Sequence, residues 1–465
     1  MKQEQGTRNQ KVGGGSFNSR IGVILAAAGS AIGLGNIWKF PYEMGDNGGG
    51  AFLLVYLLCV LLFGLPLMMT EFLLGKQSGK SAIGAFRTLC GNNKWQWLSY
   101  WCFISTAIFL GFYFVITGWC GSYLFEAASD AFAGLSADGL SAHFQSVVSN
   151  SGRMMWFVVL PIVLSSAVLW FDVTKGLERV SKVLMPLLLV LMIVMIIYVL
   201  CLDGSSAGLK YMFHIDFSHL TAESLMIAVG QCFFSLSIGA GMMIIFGAYM
   251  PSHQDATVTS MTVCTLDTTV ALLAGMIIFP AVFAFGLSPQ EGPQLVYVVL
   301  PAIFQQMPFS QISSTVFFLL LLVAALSSTI AIMEVLVANV LEMGRGKLNR
   351  HHAVLIAAGI SLAMAVPATL SLSDEWSGLR IGGKNLFECL DILVTDILLP
   401  VGALSMALFA GWIMPKRYNE FVPVSKKPWK RFLRPALVFA LKWIVPTAIL
   451  IIVLNGFGLL DSILK

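Results

Sequence analysis

Eleven long apolar segments decide what this chain can fold into. Each runs for at least 19 residues with few or no charges, close to the roughly 20 residues that an α-helix needs to cross a bilayer. Only 11% of the residues are charged, against roughly 25% in soluble domains. The segments lack the alternation of a membrane β-barrel, so we predict an all-α integral membrane protein. The predicted spans lie near 20–43, 51–75, 96–125, 154–172, 180–202, 223–250, 255–287, 312–342, 352–371, 387–413 and 435–460.

Lysines and arginines are distributed unevenly between the connections. With the N-terminus in the cytoplasm, 21 of the 28 fall on the cytoplasmic side, five outside and two within spans. The positive-inside rule therefore predicts a cytoplasmic N-terminus, and the odd number of spans places the C-terminus outside. No cleavable signal peptide is evident, since the first 15 residues are polar and the first apolar run is too long. No Asn-x-Ser/Thr sequon supports a glycosylated eukaryotic surface protein.

Three of the outer connections are long, near 127–153, 203–222 and 288–311. The third contains the apolar stretch QLVYVVLPAIFQQM. We expect this stretch to form a small helix that rests on the protein.

Two of the predicted spans are interrupted by glycine at corresponding positions, five spans apart. Span 1 contains GSAIGLGN at 29–36 and span 6 contains SLSIGAGM at 235–242. One explanation is close helix packing through small residues. However, polar groups adjoin both interruptions, with Asn36 and Lys39 after the first and Ser237 within the second. Such broken helices at mid-membrane free carbonyl and N–H groups that hold ions and substrates, so we predict a transport site there.

Ionisable residues within spans are costly, and each one needs a partner or a function. Asp267 is well inside span 7, where a carboxylate needs a cation, and we interpret it as a cation ligand. Lys39 and Asp391 lie toward the outer ends of their spans; a salt bridge that closes the outer side and an unpaired, snorkelling arrangement are both open. Glu71 lies close to the inner end of span 2, where a structural partner and a gate are both open. The remaining ones are Glu334, Asp396 and Lys442.

Sequence motifs for catalysis are incomplete. SGKS at 78–81 lacks the earlier glycine of a phosphate-binding loop, because that position is Leu74. GAGMMI at 239–244 lacks the third glycine of a dinucleotide fingerprint. The eight cysteines form no CxxC pair and are mostly in spans, so we interpret them as packing residues. We expect no enzymatic activity and no organic cofactor.

Four stretches resemble the neurotransmitter:sodium symporter family, and in particular its bacterial amino-acid members such as the bacterial leucine transporter. They are AAAGSAIGLGNIWKFPYEMGDNGGGAF at 26–52, FGLPLMMTEFLLG at 63–75, GQCFFSLSIGAGMMIIFGAY at 230–249 and LPAIFQQM at 300–307. The resemblance implies two five-helix inverted repeats, at 20–202 and 223–413, with helices 1 and 6 unwound around the substrate. A cytoplasmic tail at 1–19 and an eleventh helix at 435–460 complete the chain.

The same resemblance implies two sodium sites. In the first, Asp267 replaces an asparagine of the leucine transporter, while Ala271 stands where that transporter carries a glutamate. We expect Asp267 to supply the negative charge that chloride supplies in other members, so that transport is chloride-independent. The first site comprises Ala31, Asn36, Ser235 and Asp267. The second comprises Gly29, Ile32, Ala324, Ser327 and Ser328, whose carbonyl and hydroxyl oxygens suit a hard cation.

The substrate pocket is also implied by the resemblance. Tyr113 would donate its hydroxyl to a substrate carboxylate. Gly33 occupies the position where amine-transporting members carry aspartate, so an α-amino acid is favoured over a monoamine. Ala240 enlarges the pocket and Phe109 narrows it elsewhere, which favours a hydrophobic or aromatic amino acid. The implied pocket comprises Ser30, Ala31, Leu34, Gly35, Phe109, Tyr113, Phe234, Ser235, Ser237, Ala240, Ser328 and Ile332.

The gates implied by the resemblance depart from the family pattern in part. The outer pair falls on Lys39 and Asp391, with Tyr113 and Phe234 over these as a lid. The inner gate falls on Tyr249 and Glu342, but the family's arginine and tryptophan before helix 1 are Gly14 and Phe17 here. Helix 5 begins with Gly176 and Pro186 at a spacing that allows unwinding, since glycine weakens a helix and proline removes a donor.

We therefore expect a sodium-coupled symporter that imports a hydrophobic or aromatic L-amino acid by alternating access. Its expected location is the bacterial inner membrane. A symporter of the same fold for another small solute and a non-transporting membrane sensor remain alternatives. A channel would need a continuous polar pore, whereas these spans show isolated polar points.

Overall fold

The computed structural model describes residues 17–90, 95–290, 295–376, 378–414 and 435–456, and helices dominate them. This confirms the predicted all-α architecture. From helix 1 to helix 11, the bounds are Arg20–Ala31 with Gly35–Asp46, Gly50–Ser78, Gln96–Ala128, Ser151–Leu169, Gly176–Leu200, Ala222–Ser235 with Met242–Tyr249, Ala256–Ala284, Ser310–Met343, Arg350–Leu370, Leu386–Ile413 and Pro435–Ile451. Gly14, most of the predicted N-terminal tail and the basic segment at 415–434 lie outside the described residues.

Eight of these helices are long and apolar enough to cross a membrane, and the two halves of helix 1 make a ninth such span. Helices 3 and 8 are the most buried and pack on each other at the centre. Helices 4 and 5 instead expose apolar side chains such as Val163, Val190 and Ile197, as lipid-facing helices do. The division into two inverted repeats stays a prediction.

Helix 1 is broken between its halves, which meet at an angle of 51°. The first half ends at Ala31, and the second resumes at Gly35 with a π-helical turn over Gly35–Lys39. Such π-turns are frequent at functional sites. The break leaves the Gly33 and Leu34 N–H groups and the Ile32 carbonyl to side-chain partners, at the depth where the sequence predicted unwinding.

Helix 6 is broken between Ser235 and Met242. Three residues of the connection have positive φ: Ser237 (52°), Gly239 (95°) and Gly241 (71°). Gly239 is required for a second reason, since a Cβ there would collide with the backbone oxygen of Leu399 in helix 10. The sequence therefore makes the break sharp and lets helix 10 approach it closely.

In the connections that the structure describes, four helices have nine residues or more. The apolar stretch in the third long outer connection forms the helix Leu295–Gln306, which confirms the expectation. Ala137–Ser149 and Ser205–Phe213 lie in the other two long outer connections. Ala82–Cys90 lies in the connection between helices 2 and 3.

Candidate functional site

Side chains supplement the remaining backbone hydrogen bonds at the break in helix 1. The Leu34 N–H donates to the Tyr113 hydroxyl at 2.8 Å, and the Gly33 N–H donates to Asn36 Oδ1 at 3.1 Å. The Gln231 side chain in helix 6 donates to the Gly35 carbonyl at 2.7 Å. Freed backbone groups thus find partners in helices 3 and 6, which fixes the geometry of the break.

The break in helix 6 is held by Glu71 of helix 2. Its two carboxylate oxygens accept from the Gly239 N–H at 2.8 Å and the Met243 N–H at 2.9 Å. Glu71 is fully buried, and helix N-termini such as that at Met242 attract negative charge. For Glu71 the sequence left a structural partner and a gate open, and in this structure the carboxylate bonds the backbone of helix 6.

Three of the residues expected at the first sodium site form one buried network. The Asn36 amide donates to Asp267 Oδ1 at 2.9 Å and to Ser235 Oγ at 3.0 Å. The Ser235 hydroxyl donates to Asp267 Oδ2 at 2.9 Å, and Tyr56 donates to Ser235 Oγ at 3.3 Å. Ala31, the fourth expected residue, is buried at the end of the first half of helix 1. The network therefore joins helices 1, 2, 6 and 7 around one carboxylate.

The residues expected at the second sodium site connect helix 1 to helix 8. The Ser328 hydroxyl donates to the carbonyls of Gly29 at 3.0 Å and Ile32 at 3.1 Å. The Ser327 hydroxyl donates to the Ala324 carbonyl at 2.8 Å. This helix contact therefore holds five oxygens of the kind that bind hard cations: the carbonyls of Gly29, Ile32 and Ala324 and the hydroxyls of Ser327 and Ser328.

Aromatic rings pack together beside the two breaks. The Phe109 ring stacks on Tyr113 with centroids 5.5 Å apart, and it lies 5.4 Å from the Phe234 ring. The Ser237 hydroxyl donates to the Ser30 carbonyl at 3.0 Å, which links the two broken helices. Leu34, Gly35, Ala240 and Ile332, also expected in the pocket, are all buried.

The two residues of the predicted lid are buried. Tyr113 is 2% exposed and Phe234 is 3% exposed. Gly33 leaves no room for a side chain, because a Cβ there would collide with the hydroxyls of Tyr113 and Ser328. An acidic side chain at Gly33 is therefore incompatible with this packing.

At the outer side, the Lys39 ammonium lies 4.8 Å from the centre of the Phe234 ring. This is a cation–π distance, and it places the charge directly over the lid. No ion pair among the described residues joins Lys39 to Asp391. In this conformation the structure thus brings Lys39 to the lid and not to its expected partner.

The two residues expected at the inner gate belong to different networks. The Tyr249 hydroxyl donates to Glu334 at 2.7 Å, and Arg350 donates to both oxygens of that carboxylate at 3.1 and 2.6 Å. Glu342 instead accepts from the backbone N–H of Ser81 at 2.8 Å and from its hydroxyl at 2.7 Å.

Sequence reasoning missed the role of Arg350 because it counted this arginine only as one of many cytoplasmic charges. Phe17, at the family's tryptophan position, packs edge-on against Tyr249 with ring centroids 6.0 Å apart. Its backbone N–H donates to the Tyr249 carbonyl at 3.1 Å. The first described residue of the chain is therefore fixed to the inner end of helix 6.

The start of helix 5 is wound in this structure. Gly176 lies in a π-helical turn, Thr174–Glu178, and Pro186 lies inside the helix that follows. Glu178 accepts from the Ser19 hydroxyl at 2.9 Å, so it ties the start of helix 1 to helix 5. The sequence pattern indicated the weak backbone but not this tie.

Comparison with known proteins gives a consistent result. The sequence model of the sodium:neurotransmitter symporter family matches residues 14–137 and 137–460. The sodium-dependent transporter YhdH of Bacillus subtilis is 36% identical over 95% of this chain and 98% of its own length. A sodium-dependent transporter of Haemophilus influenzae is 30% identical over 95% and 98%. The crystal structure of MhsT in complex with L-phenylalanine matches with a TM-score of 0.85 and 37% identity, over 95% of this chain and 99% of MhsT.

Two broken helices that meet at a buried, oxygen-rich centre define a multi-pass membrane transporter. The chain belongs to the sodium:neurotransmitter symporter family. It is accordingly a sodium-dependent transporter of a small molecule and not an enzyme, as the sequence predicted.

Proposed function

We propose that this protein is a sodium-coupled symporter for a hydrophobic or aromatic L-amino acid. The observation that carries the proposal is the cluster of buried aromatic rings beside unwound backbone at the two helix breaks, where a Cβ at Gly33 would collide with the hydroxyls of Tyr113 and Ser328. The related MhsT was crystallised with L-phenylalanine, which supports an amino acid of this class.

Both ends of an α-amino acid have matching groups in the pocket. Its ammonium would bind carbonyl oxygens at the C-terminal end of the first half of helix 1, where the helix dipole is negative. Its carboxylate would accept from the Tyr113 hydroxyl and complete the first sodium site beside Asn36. A monoamine has no carboxylate to complete that site, and the pocket offers it no acid at Gly33 in compensation.

The aromatic walls set the preference for the side chain. Phe109 and Phe234, whose rings pack together, would present ring surfaces to the pocket, and the small side chain of Ala240 would enlarge it. Burying a large apolar side chain there would contribute roughly 1.5–3 kcal/mol. A polar side chain of similar size would lose its hydration without compensation.

Sodium would bind at the two oxygen clusters. We infer that Asp267, with Ala31, Asn36 and Ser235, holds the first ion, and that its fixed charge makes chloride unnecessary. Gly29, Ile32, Ala324, Ser327 and Ser328 would hold the second ion between helices 1 and 8, so its release frees helix 1 to move.

Alternating access would follow from the contacts that close each side. The lid and Lys39 lie on the outer path, and Asp391 would join them as the outer gate. Tyr249 and Glu342 would take part in closing the inner path, and Glu178 would release helix 1 when helix 5 unwinds at Gly176. Each sodium ion that moves inward gains about 2.3 kcal/mol per 100 mV of membrane potential, which would drive accumulation of the amino acid.

The proposed location is the bacterial inner membrane, with the N-terminus in the cytoplasm and the C-terminus outside. Binding of radiolabelled L-phenylalanine to the purified protein, with sodium and with potassium as control, tests the substrate class. Competition by a panel of α-amino acids, γ-amino acids and monoamines ranks their affinities for the site. We expect sodium-dependent binding that only hydrophobic and aromatic α-amino acids displace. Equal displacement by γ-amino acids or monoamines, or no sodium-dependent binding of L-phenylalanine, would contradict the proposed substrate class.

A further inference from the structure

A cavity of about 700 Å³ lies apart from the helix breaks, at the end of the molecule that the proposed orientation places in the cytoplasm. Its walls are the short helix Ala82–Cys90, the start of helix 3 and the end of helix 8. We call it the inner basic cavity. Three cationic side chains line it: Lys80, Arg87 and Arg345.

The cavity carries more positive charge than its one lining carboxylate balances. Glu342 lies 3.6 Å from the Lys80 ammonium, and its other oxygen accepts two hydrogen bonds from Ser81. Arg87 and Arg345 make no ion pair with any residue that the structure describes. Two guanidinium groups therefore line this cavity without a carboxylate partner.

The backbone conformation of Arg345 costs a non-glycine residue more free energy than it would cost a glycine. Its φ is +48°, in the left-handed region, at the turn that ends helix 8. The neighbouring Gly346 also has positive φ, at 81°. Strained non-glycine residues of this kind are often kept for function. Here the strain places an arginine at the rim of the cavity.

Apolar and aromatic residues also line the inner basic cavity. Ile83, Leu341 and Leu348 are apolar, and Tyr100 is an amphipathic ring. Tyr100 is about half-exposed, as is Trp97 one turn before it. Exposed tyrosine and tryptophan at a helix end mark the level of the lipid headgroups. The cavity therefore combines guanidinium groups with apolar surface at the membrane boundary.

We propose that the inner basic cavity binds the phosphate group of an anionic lipid from the cytoplasmic leaflet. Arginine binds phosphate through two parallel N–H donors, and the apolar lining would accommodate the glycerol and the first methylenes. Free phosphate shares the same headgroup chemistry but gains nothing from the apolar residues. This site is independent of the proposed substrate.

The test measures the thermal unfolding temperature of the purified full-length protein in detergent. Dioctanoyl phosphatidylglycerol, dioctanoyl phosphatidylcholine and inorganic phosphate are titrated separately. Variants are Arg87→Gln, Arg345→Gln and the double substitution. Lys210→Gln, an exposed outer lysine, is the matched charge control. The unfolding temperature without lipid is recorded for each variant. If the double variant does not fold, the two single variants are compared with the wild type instead.

We expect phosphatidylglycerol to raise the unfolding temperature of the wild type and of Lys210→Gln, whereas phosphatidylcholine does not. Each arginine substitution should raise the half-maximal lipid concentration about fivefold. An equal phosphatidylglycerol response in the arginine variants, or none in the wild type, would overturn the proposal. An arginine-dependent response to inorganic phosphate of the same size would also overturn the lipid assignment and make free phosphate the ligand.

Discussion

The negative charge of Asp267 allows a sharp test of chloride independence. Its two oxygens accept from Asn36 and Ser235 at 2.9 Å each, in a fully buried network. Asp267→Asn preserves the shape but removes the charge, and its new amide group must face one of these two donors. At least one charge-assisted hydrogen bond is lost, worth roughly 1.5–3 kcal/mol.

If the first sodium ion binds beside this carboxylate, losing the charge-assisted hydrogen bond should lower the affinity of the protein for sodium. A loss of 1.5–3 kcal/mol corresponds to a roughly 10- to 150-fold higher half-saturating sodium concentration. Chloride should restore part of the affinity, because it can supply the missing negative charge near the site. Uptake by the wild type should not depend on chloride.

The assay measures amino-acid uptake as a function of sodium, in chloride and in gluconate, for wild type and Asp267→Asn. Asp203→Asn, an exposed carboxylate in an outer connection, is the matched control and should behave as wild type. An unchanged sodium response in Asp267→Asn would refute the role of this carboxylate. Chloride dependence of the wild type would refute the charge argument itself.

Three further changes test separate contacts. Gly33→Ala should raise the KM for substrate about tenfold or more, because its Cβ collides with the pocket hydroxyls, whereas Gly359→Ala has open space and should leave uptake kinetics unchanged. Glu71→Gln should lower the unfolding temperature, since an amide cannot accept from both N–H groups of the helix 6 break and loses roughly 1.5–3 kcal/mol; an unchanged melt would contradict this. Arg350→Gln should destabilise the protein by about 3–5 kcal/mol by leaving buried Glu334 without its cation, as thermal melts would show; stability equal to wild type would exclude that pairing as important.

The positions of the membrane-spanning helices could be predicted from the sequence because a bilayer sets both the length and the polarity of a span. Helix 10 was predicted at 387–413 and is observed at Leu386–Ile413. The breaks in helices 1 and 6 could be predicted for a related reason. Glycine and polar residues at mid-membrane are unfavourable in a continuous apolar helix, so they indicate an interruption. Local composition therefore predicts most of the fold.

Contacts between distant helices were not readable in this way. Glu342 and Ser81 are separated by 261 positions, and nothing local in either segment indicates that they meet. The convergence of Asn36 and Ser235 on Asp267 was expected only through the family resemblance. Pairing of buried polar groups depends on how helices pack, so a single sequence shows the groups but not their partners.

The central claim is tested most directly by uptake of radiolabelled L-phenylalanine into proteoliposomes with an inward sodium gradient. We predict accumulation above the external concentration, which an inside-negative potential increases and which collapse of the sodium gradient abolishes. Sodium-dependent binding without accumulation would contradict the claim of symport and favour a sensor. Accumulation without a sodium gradient would contradict sodium coupling.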